Sequence, residues 1–113
     1  MASHTSDITF SIELDENKVP ENIKWSAPDS GIENSSTKAT IVSVWDDKAQ
    51  ETLRIDLWTK DMPVDRMKKF VHQNLLALAD TLERAANEKE QAAELREYAI
   101  QLGEKMNILK RGN

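Results

Sequence analysis

Groups able to carry out chemistry are few and scattered in this chain. His72 is the one histidine inside a periodic stretch, and no Ser or Cys nucleophile motif accompanies it. Its type and placement therefore fit a packing or surface role better than a general base. Asp46 and Asp47 are adjacent, so on a strand they point to opposite faces and cannot act as paired carboxylates. Asp61 and Asp65 can share a helical face, but carboxylates at a helix start complement its dipole, and Asp65 also reaches Lys69. Asp15, Asn17 and Glu21 loosely follow a calcium loop, yet the turn glycine and the terminal bidentate Glu are missing at the required spacing. A phosphate cradle needs clustered glycine, and Gly31, Gly103 and Gly112 are scattered. Lys60, Arg66, Lys68 and Lys69 make a basic patch where a strand gives way to a helix. A solvated face explains it first, and guidance of an acidic partner second. The expectation is a non-enzymatic protein with no cofactor and no metal.

Composition narrows the classes further. The chain has 113 residues, a common single-domain length that can bury a modest core, and one domain over 1–113 is expected. The absence of cysteine removes disulfides, thiolate metal sites and a Cys nucleophile. With 20 acidic against 15 basic residues and a net charge of -5, the surface has the wrong sign for neutralising phosphates, which argues against nucleic acid as a partner. The N-terminal MASHTSDITF lacks the positive and apolar regions of a secretory signal. The longest apolar run, Leu75 to Ala79, is far below the ~18 residues that would span a bilayer. A cytoplasmic protein without membrane insertion is expected.

The elements that must position any site are legible from periodicity. Residues 1–7 are polar and expected to fray, as are 110–113. Ile8, Phe10, Ile12 and Leu14 alternate with Thr9, Ser11 and Glu13, the signature of a half-buried strand. Asp15 to Lys18 supply turn chemistry, and Ile23 with Trp25 forms a second strand folding back on the first. Ala27 to Thr37 is rich in Pro, Gly, Asn and hydroxyl residues and reads as a loop. Lys38 to Trp45 and Thr52 to Thr59 are dense in β-branched residues and read as a hairpin, with Asp46 to Glu51 as a linker that tolerates a short helical tip.

Pro63 marks a helix start, with Asp61 or Met62 near its cap. Val64, Met67, Val71, Leu75, Leu78, Leu82 and Ala85 recur every three or four residues. Asn87 interrupts the pattern and, with Glu90, fits an Asn variant of the capping box for a second helix. Ala92, Leu95, Ala99, Leu102, Met106 and Leu109 continue a seam suited to antiparallel packing, with Ala85, Ala92 and Ala99 allowing close approach. One helix running through Asn87 and pairing with a second chain is the rival reading. Gly103 is expected to begin the frayed end. The fold class is therefore α+β, a three- or four-stranded antiparallel sheet with a C-terminal antiparallel two-helix hairpin packed on one face.

Parity within the hairpin gives the one candidate surface. Leu53, Ile55 and Leu57 share a row with Val42 and Val44 and are expected to join the first strand's row against the helices. Ile41, Trp45 and Trp58 then fall on the reverse beside Arg54 and Asp56, a mixture of aromatic anchors and charge found at binding surfaces. Packing of the tryptophans under the Ala27 to Thr37 loop is the competing reading.

Three stretches name a family. ITFSIELDENKVPENIKW (Ile8–Trp25), SVWDDKAQETLRIDLW (Ser43–Trp58) and above all LRIDLWTKDMPVDRMKKFVHQ (Leu53–Gln73) closely resemble the GldC family of gliding motility proteins from Bacteroidetes. The resemblance covers Ile8 to about Met106. It implies a small soluble accessory protein of the gliding machinery, in bacteria whose gliding is tied to type IX secretion, and it carries over no catalytic residue. A protein partner from the gliding or type IX secretion machinery is expected, with a homo-oligomer as a further expectation. The alternative role is a small acidic chaperone for a secretion or motility client.

Overall fold

The computed structural model describes residues 2–109. The chain is α+β and divides into two compact units, Met1–Met62 built of strands and Pro63–Asn113 built of helices. The fraying expected of 110–113 lies outside the described residues.

The first unit holds two antiparallel sheets. β1 (Thr9–Leu14), β2 (Pro20–Ala27) and β3 (Ile32–Thr37) form a three-stranded sheet in chain order, and β4 (Ala39–Asp46) pairs with β5 (Glu51–Trp58) in a two-stranded one. Asp15 closes the β1–β2 turn, its carboxylate accepting the Asn17 and Val19 N–H groups at 2.8 and 3.0 Å. That turn sets the register, placing Ile12 opposite Ile23 and Phe10 opposite Trp25. The Phe10 and Trp25 rings stack at a centroid distance of 6.2 Å, a geometry that adds to their area burial. Ile23, 1% exposed, is the largest fully enclosed side chain among the described residues.

Among the described residues there are five strands in two antiparallel sheets, where one sheet of three or four strands is expected. The extra strand is β3, in the stretch read as a loop. Pro28–Ser30 make one 3-10 turn, Gly31 ends it at φ 76, and Ile32–Thr37 then pairs with β2. Only the ends of IENSST are half-buried. Ladder hydrogen bonds rather than apolar contacts hold this strand, so hydropathy carries no trace of it. The two sheets part at Lys38, where the chain bends between β3 and β4. A polar corner secures the base of the second sheet: Thr59 donates its N–H to the Lys38 carbonyl at 2.9 Å and its hydroxyl to Asp61 at 2.6 Å. Asp61 also takes Lys38 Nζ at 2.6 Å.

In the second unit α1 (Val64–Ala86) and α2 (Lys89–Lys105) pack on each other as an antiparallel hairpin. Pro63 itself occupies the N-cap with extended backbone, φ -65 and ψ 142, and no side chain caps the helix. Asp61, expected near the cap, is engaged by Thr59 and Lys38 instead. Asn87 breaks the helical run but does not start a capping box. It adopts φ 57, and its N–H bonds the Glu83 carbonyl at 3.0 Å, which makes it the C-cap of α1. With only Asn87 and Glu88 between the helices, the residue that best tolerates the left-handed conformation takes the α1 end.

The contact between helices runs through small residues. Ala79, Ala92 and Ala99 are fully enclosed, and His72 and Gly103 are buried beside them. Small side chains let the backbones approach closely, so bulkier residues flank the line of contact. Relative to the expected stripe, the buried face of α1 is rotated: Val64, Val71 and Leu78 are exposed, and so is Ala85. Gly103 is not a frayed end. Its carbonyl accepts the Ile108 N–H at 3.0 Å while Asn107, at φ 61, donates its N–H to Glu104 at 3.1 Å, a Schellman closure of α2.

Candidate interaction surface

The hairpin register brings all five candidate residues to one face. Ile41 stands opposite Asp56, Ser43 opposite Arg54, Trp45 opposite Thr52 and Ala39 opposite Trp58. Ile41 is half-buried at the centre, whereas Trp45 and Trp58 are 57% and 54% exposed. The Ala27 to Thr37 stretch, which the competing reading lays over them, instead forms a 3-10 turn and β3. Six residue steps at ~3.3 Å separate the two indoles along the hairpin, roughly 20 Å. Two aromatic anchors therefore flank a charged centre.

That centre is an ion pair. Arg54 donates from Nη2 to Asp56 Oδ2 at 2.7 Å and from Nε to Oδ1 at 3.4 Å. The hydrogen bond from Arg54 holds the Asp56 carboxyl below its ordinary range, and Asp56 in turn raises the Arg54 guanidinium. Trp45 is oriented from the turn, its Nε1–H donating to Asp47 at 3.3 Å. The turn is stiffened by the Gln50 N–H on the Asp46 carbonyl at 2.9 Å and by the Gln50 amide on the Asp47 carbonyl at 2.8 Å.

The opposite face is where the expectation fails. Val42, Val44, Leu53, Ile55 and Leu57 do form one row, but Val44, Leu53 and Ile55 are 55%, 55% and 60% exposed rather than core. Period-two alternation says which residues share a face and nothing about which face is covered. A hairpin with apolar residues on both parities offers no further signal.

The other groups singled out by type have structural duties. His72 is buried in the helical unit and its Nε2 lies 2.9 Å from the Ala99 carbonyl. A carbonyl only accepts, so that nitrogen carries the proton and the ring acts as a packing residue with its donor satisfied. Asp46 caps the hairpin turn through the Lys48 N–H at 3.2 Å. Lys60, part of the expected basic patch, is tied to Asp15 in an ion pair. Among the described residues no cluster of His, Asp and Glu is arranged to hold a metal ion, and no helix is long and apolar enough to cross a membrane.

Comparison with known proteins gives one match. No curated protein and no solved structure matches the chain. A family model described as gliding motility-associated protein GldC-like matches residues 20–108, from the first residue of β2 to beyond the end of α2. That span takes in most of both units and the whole of the hairpin that carries Trp45 and Trp58, and on it the chain belongs to the GldC-like family of gliding motility-associated proteins.

Proposed function

We propose that the chain is a non-enzymatic, cytoplasmic accessory module of the bacterial gliding machinery that holds a protein partner on the β4–β5 hairpin. One observation carries this reading. Trp45 and Trp58 are more than half exposed on one face, either side of the Arg54–Asp56 pair. Exposed tryptophan and arginine are the residue types that dominate binding energy when a partner desolvates them. The family supports a partner drawn from the motility machinery.

Capture of gliding or type IX secretion components from the native cells should succeed with the wild type and fail with Trp45→Ser/Trp58→Ser, whose circular dichroism stays unchanged. Equal capture by both proteins would overturn the reading. A collapsed spectrum in the variant would move those rings from the binding surface to the core.

A second reading, a chaperone for a secretion or motility client, draws support from the hairpin's strand edges, unpaired among the described residues, to which an extended client segment can add as a strand. It predicts slowed amide exchange at the outer edge of β4 when an unfolded client is present. Unchanged exchange there would count against it.

A further inference from the structure

We propose that two copies of the chain form a two-fold dimer by pairing β5 with β5 across an axis at Ile55. Among the described residues β4 and β5 pair only with each other, so β5 keeps an open edge. A third or fourth strand adds to the stability of a two-stranded hairpin.

The register with β4 fixes which backbone groups face that edge. Thr59 donates its N–H to the Lys38 carbonyl, one step beyond the Ala39–Trp58 pair. In an antiparallel ladder successive residues direct their N–H and C=O groups to opposite sides. Thr59, Leu57, Ile55 and Leu53 therefore face β4, and Thr52, Arg54, Asp56 and Trp58 turn their backbone groups to the open edge.

Charge then selects the partner and the register. A two-fold antiparallel pair joins residues equidistant from its centre, and outward-facing residues must meet one another. Centred on Arg54 or on Asp56, the pairing sets like charges directly opposite, which is destabilising. Centred on Leu57, it sets Arg54 opposite Lys60. Centred on Ile55, it sets Arg54 opposite Asp56 of the second copy and Asp56 opposite its Arg54, with Thr52 facing Trp58 at either end. The same register places Ile55 against Ile55 on the axis and Leu53 against Leu57 on the other face, at the closer, non-hydrogen-bonded positions. TLRIDLW is thus charge-complementary to itself, as an isologous interface requires. The β4 edge, ATIVSVWD, has no opposite charges to choose a register. The inference stands on the β5 edge, not on the tryptophans, so its failure leaves the proposed function standing.

Sedimentation equilibrium tests it with charge reversals. The wild type should sediment at twice 12.8 kDa. Arg54→Asp and Asp56→Arg should each weaken self-association roughly 10-fold or more, since each turns two attractive cross-strand pairs repulsive. Mixing the two variants should restore a dimer containing one of each, and the double variant Arg54→Asp/Asp56→Arg should dimerise like the wild type. Recovery on mixing is out of reach for a variant that has merely failed to fold. A wild type that stays monomeric up to millimolar concentration would overturn the proposal, as would single variants that dimerise unchanged or fail to pair on mixing.

Discussion

Arg54 and Asp56, two positions apart on β5, meet at 2.7 Å on the face that also bears Trp45 and Trp58. Both side chains are solvent-exposed, and an exposed ion pair contributes little to folding. Its place between two open indoles puts it at the centre of the proposed recognition surface. The hairpin therefore places apolar and charged residues where the fold gains little from them; it encloses Ala39 at its base, and further enclosed contacts lie at Ile23 in the strand unit and along Ala79, Ala92 and Ala99 in the helical one.

The alanines of the helical seam separate by position. Ala79→Leu forces a larger side chain into a fully enclosed contact and should cost about 1–3 kcal/mol. Ala85→Leu, on an exposed position of the same helix, should change stability by less than about 0.5 kcal/mol. Urea denaturation midpoints for the pair check this directly.

Gly103 poses a contest between helix propensity and space. Replacement by Ala gains about 1 kcal/mol in a helix interior. The added Cβ would sit 2.6 Å from Leu109 Cδ1 and 2.9 Å from His72 Nε2. Leu109 can swing aside, but His72 is buried and bonded to the Ala99 carbonyl, and leaving that pair unmade costs about 1–3 kcal/mol. Gly103→Ala should therefore lower the denaturation midpoint. A raised midpoint would show that the ring has room to move.

At Asn87 the backbone decides. A left-handed φ of 57 costs an ordinary L residue about 1–2 kcal/mol. Asn87→Val should lose roughly that much in thermal unfolding, and Asn87→Gly should be unchanged or more stable.

Acid should loosen the β1–β2 turn. The hydrogen bond from Lys60, then that from the Val19 N–H, holds the Asp15 carboxyl below its ordinary value of 3.8. The unfolded chain takes up this proton near 3.8 and the folded chain only at lower pH. The contribution is complete above 3.8 and is lost as pH falls toward the folded value. Asp15→Asn should flatten this part of the stability profile below pH 4, measured by urea midpoints at stepped pH. An unchanged acid limb would show that Asp15 is not a source of it.

How much of this was legible in the sequence depended on what each residue does. Alternation at Phe10, Ile12 and Leu14 reported β1, and β-branched density reported β4 and β5, because side-chain period is a backbone property. The parity argument likewise brought Ile41, Trp45, Arg54, Asp56 and Trp58 to one face. β3 was hidden because IENSST is held by ladder bonds and has little to bury. Asn87 was visible as a break but ambiguous in role, since Asn suits an N-cap and a left-handed C-cap equally well. The exposed row at Val44, Leu53 and Ile55 was out of reach, because alternation identifies a face without identifying what covers it.

The most direct measurement places a photo-crosslinking amino acid at Trp45 in living cells, with Ala85 as a second exposed position outside the hairpin. Trp45 lies on β4, one strand away from the β5 edge, so self-pairing does not supply its crosslinks. A crosslink from position 45 to a protein of the gliding machinery, with none from position 85, is the predicted result. No heterologous crosslink from position 45, or the same crosslink from both positions, would contradict the hairpin as the surface that holds the partner.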